Sequence, residues 1–317
     1  MPKKKILFIG GSLNQTIQMH KVSMHLEDCD CYFTAYYCDG IERMGLKIGI
    51  LDFSSLGGRF RRLTEDYFRA KHLQVDYEGR KHNYDLVVTS NDLIFQKNIR
   101  KKSVVLVQEG MTDREGFMFK LIKTLHLPRY FASTSMMGLS DGYKAFCVAS
   151  DGYKEMFIKK GCKPEKIVVT GVPNFDNIIE YSKNNFHHKD YVMVATSDAR
   201  ETFRYENRIK FIKKAVEIAD GRDLIFKLHP NENDIKAEKE IRKFAPGALV
   251  FSSGNAEEMV ANCSVFISKV STLIYVALIL GKEIHCDIDI EELKMLAPVQ
   301  NGGVSAKNIA DVCRKYL

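Results

Sequence analysis

The 317-residue chain is 45% hydrophobic and 27% charged, a balance that excludes disordered and fibrous classes and leaves room for two ordinary domains, each with its own core. Its net charge of +7 draws on Lys3-Lys4-Lys5 and on Arg59-Phe60-Arg61-Arg62 with Arg69 and Lys71, which suits an anionic surface such as a membrane or an acidic acceptor. Nucleic acid is excluded as a partner, because no RNA-binding aromatic signature or zinc-finger spacing accompanies the basic groups.

No run approaches the ~20 apolar residues of a membrane span, and no signal peptide precedes the first strand, so the expected location is cytoplasmic, with peripheral contact to the inner face of the cell membrane. That first strand covers 5–9 and opens into Gly10-Gly11-Ser12, then a helix over 13–26. The two glycines lack the fuller dinucleotide pattern and are a weak phosphate-loop signal, and the turn fits a substrate loop. A second strand over 31–37 leads to a less regular insertion, 39–80, whose Arg-rich helix 59–72 is amphipathic. It suits an acceptor or a membrane, and equally an ordinary solvated face.

Buried strands over 85–89 and 103–107 follow, ending in Ser90-Asn91-Asp92 and Gln108-Glu109-Gly110. Glu109 lies in a Gly-containing loop at the same sheet edge as Asp92. A general base needs a rigid, partly desolvated rim, and Glu109 has one, with Asp113 as the nearby alternative. A carboxylate that only caps the helix from about Glu115 fits the position equally well. A strand over 145–149, a helix over 153–160 capped by Gly161, and a strand over 166–170 complete the first half. The polar stretch 181–189, with His187-His188, reads as a linker, which gives domains of 1–181 and 190–317 with a C-terminal helix able to cross back.

The second half restarts with a strand over 191–196 and the loop Ser197-Asp198-Ala199-Arg200-Glu201, then a helix over 208–219. A strand over 223–228 ends in His229-Pro230-Asn231-Glu232 before a helix over 231–244. Pro230 lacks a donor and fixes φ, so His229 is held at the strand's rim, where an imidazole can bond a phosphate oxygen or merely cap the helix. The strand over 265–267 opens into Ser268-Lys269-Val270-Ser271-Thr272 and an apolar helix over 273–280. Free N–H groups at that helix start, with Lys269 beside them, favour an anion, although Ser271 and Thr272 also suit plain capping. Strands over 249–251 and 283–286 and a closing helix over 306–316 finish an α/β architecture of two doubly wound Rossmann-like domains facing a cleft. The eight cysteines lack the spacing of a zinc site or a disulfide framework.

The order of motifs resembles the GT-B glycosyltransferase superfamily, in the group of CDP-glycerol glycerophosphotransferases, bacterial sialyl- and Kdo-transferases and UDP-N-acetylglucosamine 2-epimerases. Three segments carry it: Thr170-Gly171-Val172-Pro173, Lys227-Leu228-His229-Pro230 and Ser271-Thr272. Gln108-Glu109-Gly110 is similar to the acidic-Gly motif that supplies a transferase base, with glutamine at its first position. The epimerases' Asp-Ser-Gly-Gly stretch and following glutamate are replaced here by Ser268-Lys269-Val270-Ser271-Thr272 and a helix without acidic residues.

The resemblance implies an inverting, metal-independent glycosyltransferase with no cofactor beyond its nucleotide-sugar substrate, CMP or CDP donors being favoured over UDP. Glu109 or Asp113 would be the base, and Ser197, Lys227, His229, Pro230, Asn231, Lys269, Ser271 and Thr272 would hold the nucleotide phosphate. Gly10, Gly11, Ser12, Asp92 and Gly110 would face a glycan or lipid-linked acceptor in surface polysaccharide or capsule biosynthesis. A nucleotide-sugar epimerase and a non-catalytic sugar-nucleotide-binding member of the fold are the alternatives.

Overall fold

Near-continuous apolar runs are buried on both faces, which is the condition for a parallel sheet. In the first unit these runs form β1 (Lys5–Gly10), β2 (Asp30–Ala35), β3 (Leu86–Thr89), β4 (Ser103–Val107), β5 (Ala145–Val148) and β6 (Ile167–Val169). They pair in parallel as β2-β1-β3-β4-β5-β6. The second unit has β7 (Tyr191–Ala195), β8 (Leu224–Lys227), β9 (Leu249–Phe251), β10 (Cys263–Ile267) and β11 (Glu283–His285), also parallel, in the order β11-β10-β7-β8-β9. The computed structural model describes residues 2–49, 51, 52, 54–202 and 204–317. Ile50 and Phe53 of the insertion expected over 39–80 lie outside the described residues.

Each order reverses direction once. From β1 the chain steps to β2 on one side and then to β3 on the other, and from β7 it builds β8 and β9 before returning to place β10. The reversals put a switch point between β1 and β3 and another between β7 and β10, where neighbouring loops leave in opposite directions and open a crevice at the strands' carboxyl ends. Both candidate rims lie at these edges.

The first unit comprises Met1–Asp176 and Pro298–Leu317, and the second Asn177–Ala297. The last helix, Ser305–Arg314, buries Ala306, Ile309, Ala310 and Cys313 in the same core as Ile6, Phe8 and Val105 of the first sheet. Its start is fixed by Asp176, whose Oδ2 accepts the Ser305 N–H at 2.7 Å. Gly171, at φ +80°, allows the close approach, since a Cβ there would stand 2.2 Å from Ser305 Oγ. The stretch expected as the linker is largely exposed, with Phe186 packed on the second unit: it lies 5.8 Å from Phe251 and 6.0 Å from Tyr191 between ring centroids. His188 joins the same aromatic cluster.

Candidate functional site

The first unit brings its rims together through one side chain. Gly10 ends β1, Gly11 and Ser12 follow, and Ser12 caps the helix Leu13–Ser23 in a reciprocal box with Gln15. Ser12 Oγ donates to Glu109 Oε1 at 3.0 Å, and Gln15 Nε2 donates to Glu109 Oε2 at 2.7 Å. Glu109, one residue beyond Gln108 at the end of β4, is thus joined to the β1 loop across the strand between them. A Cβ on Gly11 would meet Gln15 Oε1 at 2.1 Å, so the bare backbone is what lets Gln15 fold back over the loop. Burial raises the Glu109 carboxyl above its usual range, against the two hydrogen bonds, which act to lower it. The result is a half-buried carboxylate with fixed orientation and enhanced basicity.

The Arg-rich helix, which keeps Arg59 and Arg62 exposed, also has a structural duty beside this loop. In the helix Gly58–Ala70, Thr64 is buried and donates to the Gly11 carbonyl at 3.1 Å, while Arg61 pairs with Glu65 and Arg69 with Asp66 along the helix itself. Gln108 is also structural. Its amide accepts from Ala149 N–H at 2.9 Å and donates to the Gly110 carbonyl at 2.8 Å, so it ties β4's end to β5's end and shapes the Glu109 turn.

Asp92 departs from its expected acceptor-facing role. It is 0% exposed, and its oxygens accept the N–H groups of Gly138 at 3.0 Å and Ser140 at 3.1 Å, with Arg129 3.6 Å away. A carboxylate sealed in this way holds a loop and meets no solute. Asp113 is turned toward Thr134, which receives its N–H at 2.8 Å and donates back to its Oδ2 at 2.9 Å.

In the second unit the His-Pro turn is longer than its sequence suggests. The helix begins at Asp234 with Asn233 as its cap, so Pro230, Asn231 and Glu232 form a turn. This folds Glu232 inward, where Oε2 accepts the His229 N–H at 3.0 Å and the Thr196 hydroxyl as well. Asn231 N–H donates to His229 Nδ1 at 3.2 Å, which assigns the neutral ring's proton to Nε2. Burial lowers the His229 pKa, against the pull of Asp198, Glu232 and Glu201, and so favours that neutral form. With a side chain 37% exposed, the ring is a preset Nε2–H donor.

Lys227 is 7% exposed, its ammonium donates to the Leu228 carbonyl at 3.2 Å, and its charge helps lower the pKa of His229. A further positive charge comes from Lys269, after β10, whose ammonium lies 3.5 Å from Glu206. Glu206 in turn pairs with Arg208 at 2.9 Å, and Arg208 with Glu232 at 2.7 Å, all three side chains being at most 2% exposed. Ser197 joins the chain, its hydroxyl donating to Glu206 at 3.2 Å and its carbonyl accepting from Arg208 at 2.8 Å. The network therefore runs from the β10 loop to the His229 turn.

Ser271 Oγ accepts the Leu273 N–H at 3.2 Å, and Thr272 occupies the cap position of the helix Leu273–Ile279 without a side-chain cap bond. A cavity of about 250 Å³ beside Lys269 is bordered by Lys210, Lys214, Phe211, His285 and Asp287, a lining in which lysines outnumber the one acid. Glu206, Arg208, Glu232 and Gln15 escape a reading of motifs. Only Gln15 had a local signature, the Ser12-x-x-Gln15 spacing of a capping box.

Among the described residues no cluster of three or more His, Cys, Asp or Glu is placed to hold a metal ion, and no helix is long and apolar enough to cross a membrane.

No family model matches the chain, and no curated protein sequence matches it. Its three-dimensional likenesses are extensive. The UDP-GlcNAc 2-epimerase of Neisseria meningitidis bound to UDP-GlcNAc is 12% identical with a TM-score of 0.58, over 98% of this chain and 100% of that one. The UDP-GlcNAc 2-epimerase of Methanocaldococcus jannaschii in complex with UDP-GlcNAc and UDP is 14% identical with a TM-score of 0.58, over 98% and 99%. A variant of the wall teichoic acid polymerase TagF, soaked with CDPG, is 11% identical with a TM-score of 0.54, over 99% and 89%. With the two parallel sheets, these likenesses show that the chain has the GT-B fold expected from its motifs.

Proposed function

We propose that the protein is a GT-B glycosyltransferase that moves a sugar from a nucleotide-activated donor to a hydroxyl acceptor. The observation that carries this reading is the Glu109 arrangement, a carboxylate of raised pKa held by Ser12 and Gln15 at a switch point of the first sheet. Glu109 takes the acceptor's hydroxyl proton as the acceptor oxygen bonds to the sugar's anomeric carbon. The donor's phosphate leaves with the electron pair of the broken bond. His229 Nε2–H, Lys269, Ser271 and Thr272 receive that growing negative charge. A direct displacement of this kind inverts the anomeric centre.

One observation sustains an epimerase as the second reading, namely the likeness to two UDP-GlcNAc 2-epimerases over nearly the whole chain. Against it stands the helix Leu273–Ile279, whose sequence LIYVALI offers no carboxylate for a uridine ribose. The same gap favours a cytidine donor, and surface polysaccharide or a lipid-linked glycan is the acceptor class we infer.

Melting the protein in the presence of CMP, CDP, UDP, GDP and ADP tests the donor class. A ligand bound only to the folded state stabilises it by about 2.7 kcal/mol at a hundredfold excess over Kd. We expect a rise in Tm with CMP or CDP. A rise with UDP alone would return the reading to UDP-sugar chemistry, and no rise with any nucleotide would leave no support for a donor site.

His229→Ala is expected to lower kcat by about 10²–10³-fold, the usual cost of one preorganised donor at a developing oxyanion. The fold should survive, because the bonds to Thr196 and Glu232 come from the His229 backbone N–H. A thermal melt beside the rate measurement separates the two effects, and full activity in this variant would remove His229 from the site.

A further inference from the structure

The helix Phe117–Leu125 (FMFKLIKTL) carries six apolar residues, of which Phe119 and Ile122 alone are buried. These two pack with Ala132 and Met136 in a small satellite core under the helix. Most of the remaining apolar face is exposed among the described residues. Phe117 is 77% exposed, Met118 45% and Leu125 58%, and on a helical projection Phe117, Met118, Leu121 and Leu125 share one arc. The chain continues this surface through Leu127 and Phe131. Five of the large exposed apolar side chains of the molecule thus fall within fifteen consecutive residues, 117–131.

Charge decides what this face can meet. Between Gly116 and Thr134 the sequence has Lys120, Lys123, His126 and Arg129 and no aspartate or glutamate. Arg129 is turned to Asp92 and Lys123 to the Lys160 carbonyl at 3.0 Å, which leaves Lys120 and His126 at the surface. An apolar arc whose surface charge is basic is the composition of a helix that lies in the interfacial plane of an anionic bilayer, its apolar side chains entering the acyl boundary and Lys120 reaching headgroup phosphates. The C-terminal end of the helix also borders a cavity of about 880 Å³ lined by Lys97, Arg100, His126 and Lys160 together with Asp39 and Glu42, so basic groups outnumber acids there. The Arg-rich helix Gly58–Ala70 keeps Arg59 and Arg62 exposed but offers no comparable apolar face, since its Phe68 is buried and it carries no large exposed apolar side chain.

We infer that the Phe117–Phe131 face docks the protein on an anionic lipid bilayer. The assignment is independent of the reaction proposed for Glu109. Two of its exposed anchors, Phe117 and Leu125, lie outside the satellite core, so they can be changed without removing a core side chain.

The test is co-sedimentation of the full-length protein with phosphatidylcholine vesicles and with vesicles containing phosphatidylglycerol. Preferential binding to the phosphatidylglycerol vesicles is expected, weakening as salt is raised. The double variant Phe117→Glu, Leu125→Glu should lose at least about tenfold in partitioning, the minimum for withdrawing two large apolar side chains from the interface, with an unchanged Tm. The inference is overturned by equal binding to both vesicle types, by a double variant that binds like the parent, or by ultracentrifugation showing that the face instead closes a dimer that the double variant abolishes.

Discussion

Glu109→Gln should lose about 10²–10⁴-fold in kcat, the range that a positioned general base contributes, while binding of the free nucleotide is unchanged. Glutamine preserves the shape and can accept from Gln15 while it meets the Ser12 hydroxyl, so what disappears is the ability to take a proton. The stability effect has the opposite sense. A carboxyl whose folded pKa is raised contributes stability that is fully present below its unfolded pKa and is lost as pH rises through the folded value. At neutral pH the ionised Glu109 therefore opposes folding, and its neutral replacement should melt at or above the parent temperature. In the parent, the acid limb of the kcat profile should lie above the ordinary glutamate value of about 4.3, because the base must be ionised to work. A variant that lost activity and stability together would point to a structural role for Glu109.

Arg208→Ala should cost the second unit about 3–5 kcal/mol, the usual loss when one partner leaves a buried ion pair uncompensated. Arg208 is 3% exposed and faces both Glu206 and Glu232. Its removal strands two carboxylates, only one of which has Lys269 as a second partner. Urea unfolding measures the loss. Adding Glu232→Gln to Arg208→Ala should recover part of it, since one uncompensated charge is then gone, and an additive loss would refute the network. Because Glu232 also holds the backbone of His229, the single variant should weaken nucleotide binding at temperatures where it remains folded.

These residues mark where sequence stops being informative. Strand runs such as 6–9 and 104–107 are apolar on both faces and declare a parallel sheet without help. The rims that follow them are legible too, because glycine, proline and hydroxyl residues interrupt the pattern where loops leave the sheet. Partnership across the sheet is not legible. Nothing near Asp92 in sequence announces that Gly138 and Ser140 will bury its carboxylate, and nothing near Lys227 announces that its ammonium will turn to the Leu228 carbonyl. Glu232 was hidden by a shift of a few residues in a helix start: once Asn233 caps the helix, Glu232 belongs to the turn and faces inward. The final helix offers a similar lesson, since its placement depends on Asp176 and Gly171, more than 120 residues earlier.

The most direct test of the proposed transfer is nucleotide release from a panel of CMP-, CDP- and UDP-sugars, followed for the parent and for Glu109→Gln with a hydroxyl acceptor present. The account predicts release from one nucleotide class by the parent, its near-complete loss in Glu109→Gln, and an undiminished Tm rise in that variant with the same free nucleotide. Conversion of the sugar to its epimer without an acceptor product, or release that persists in Glu109→Gln, would contradict it.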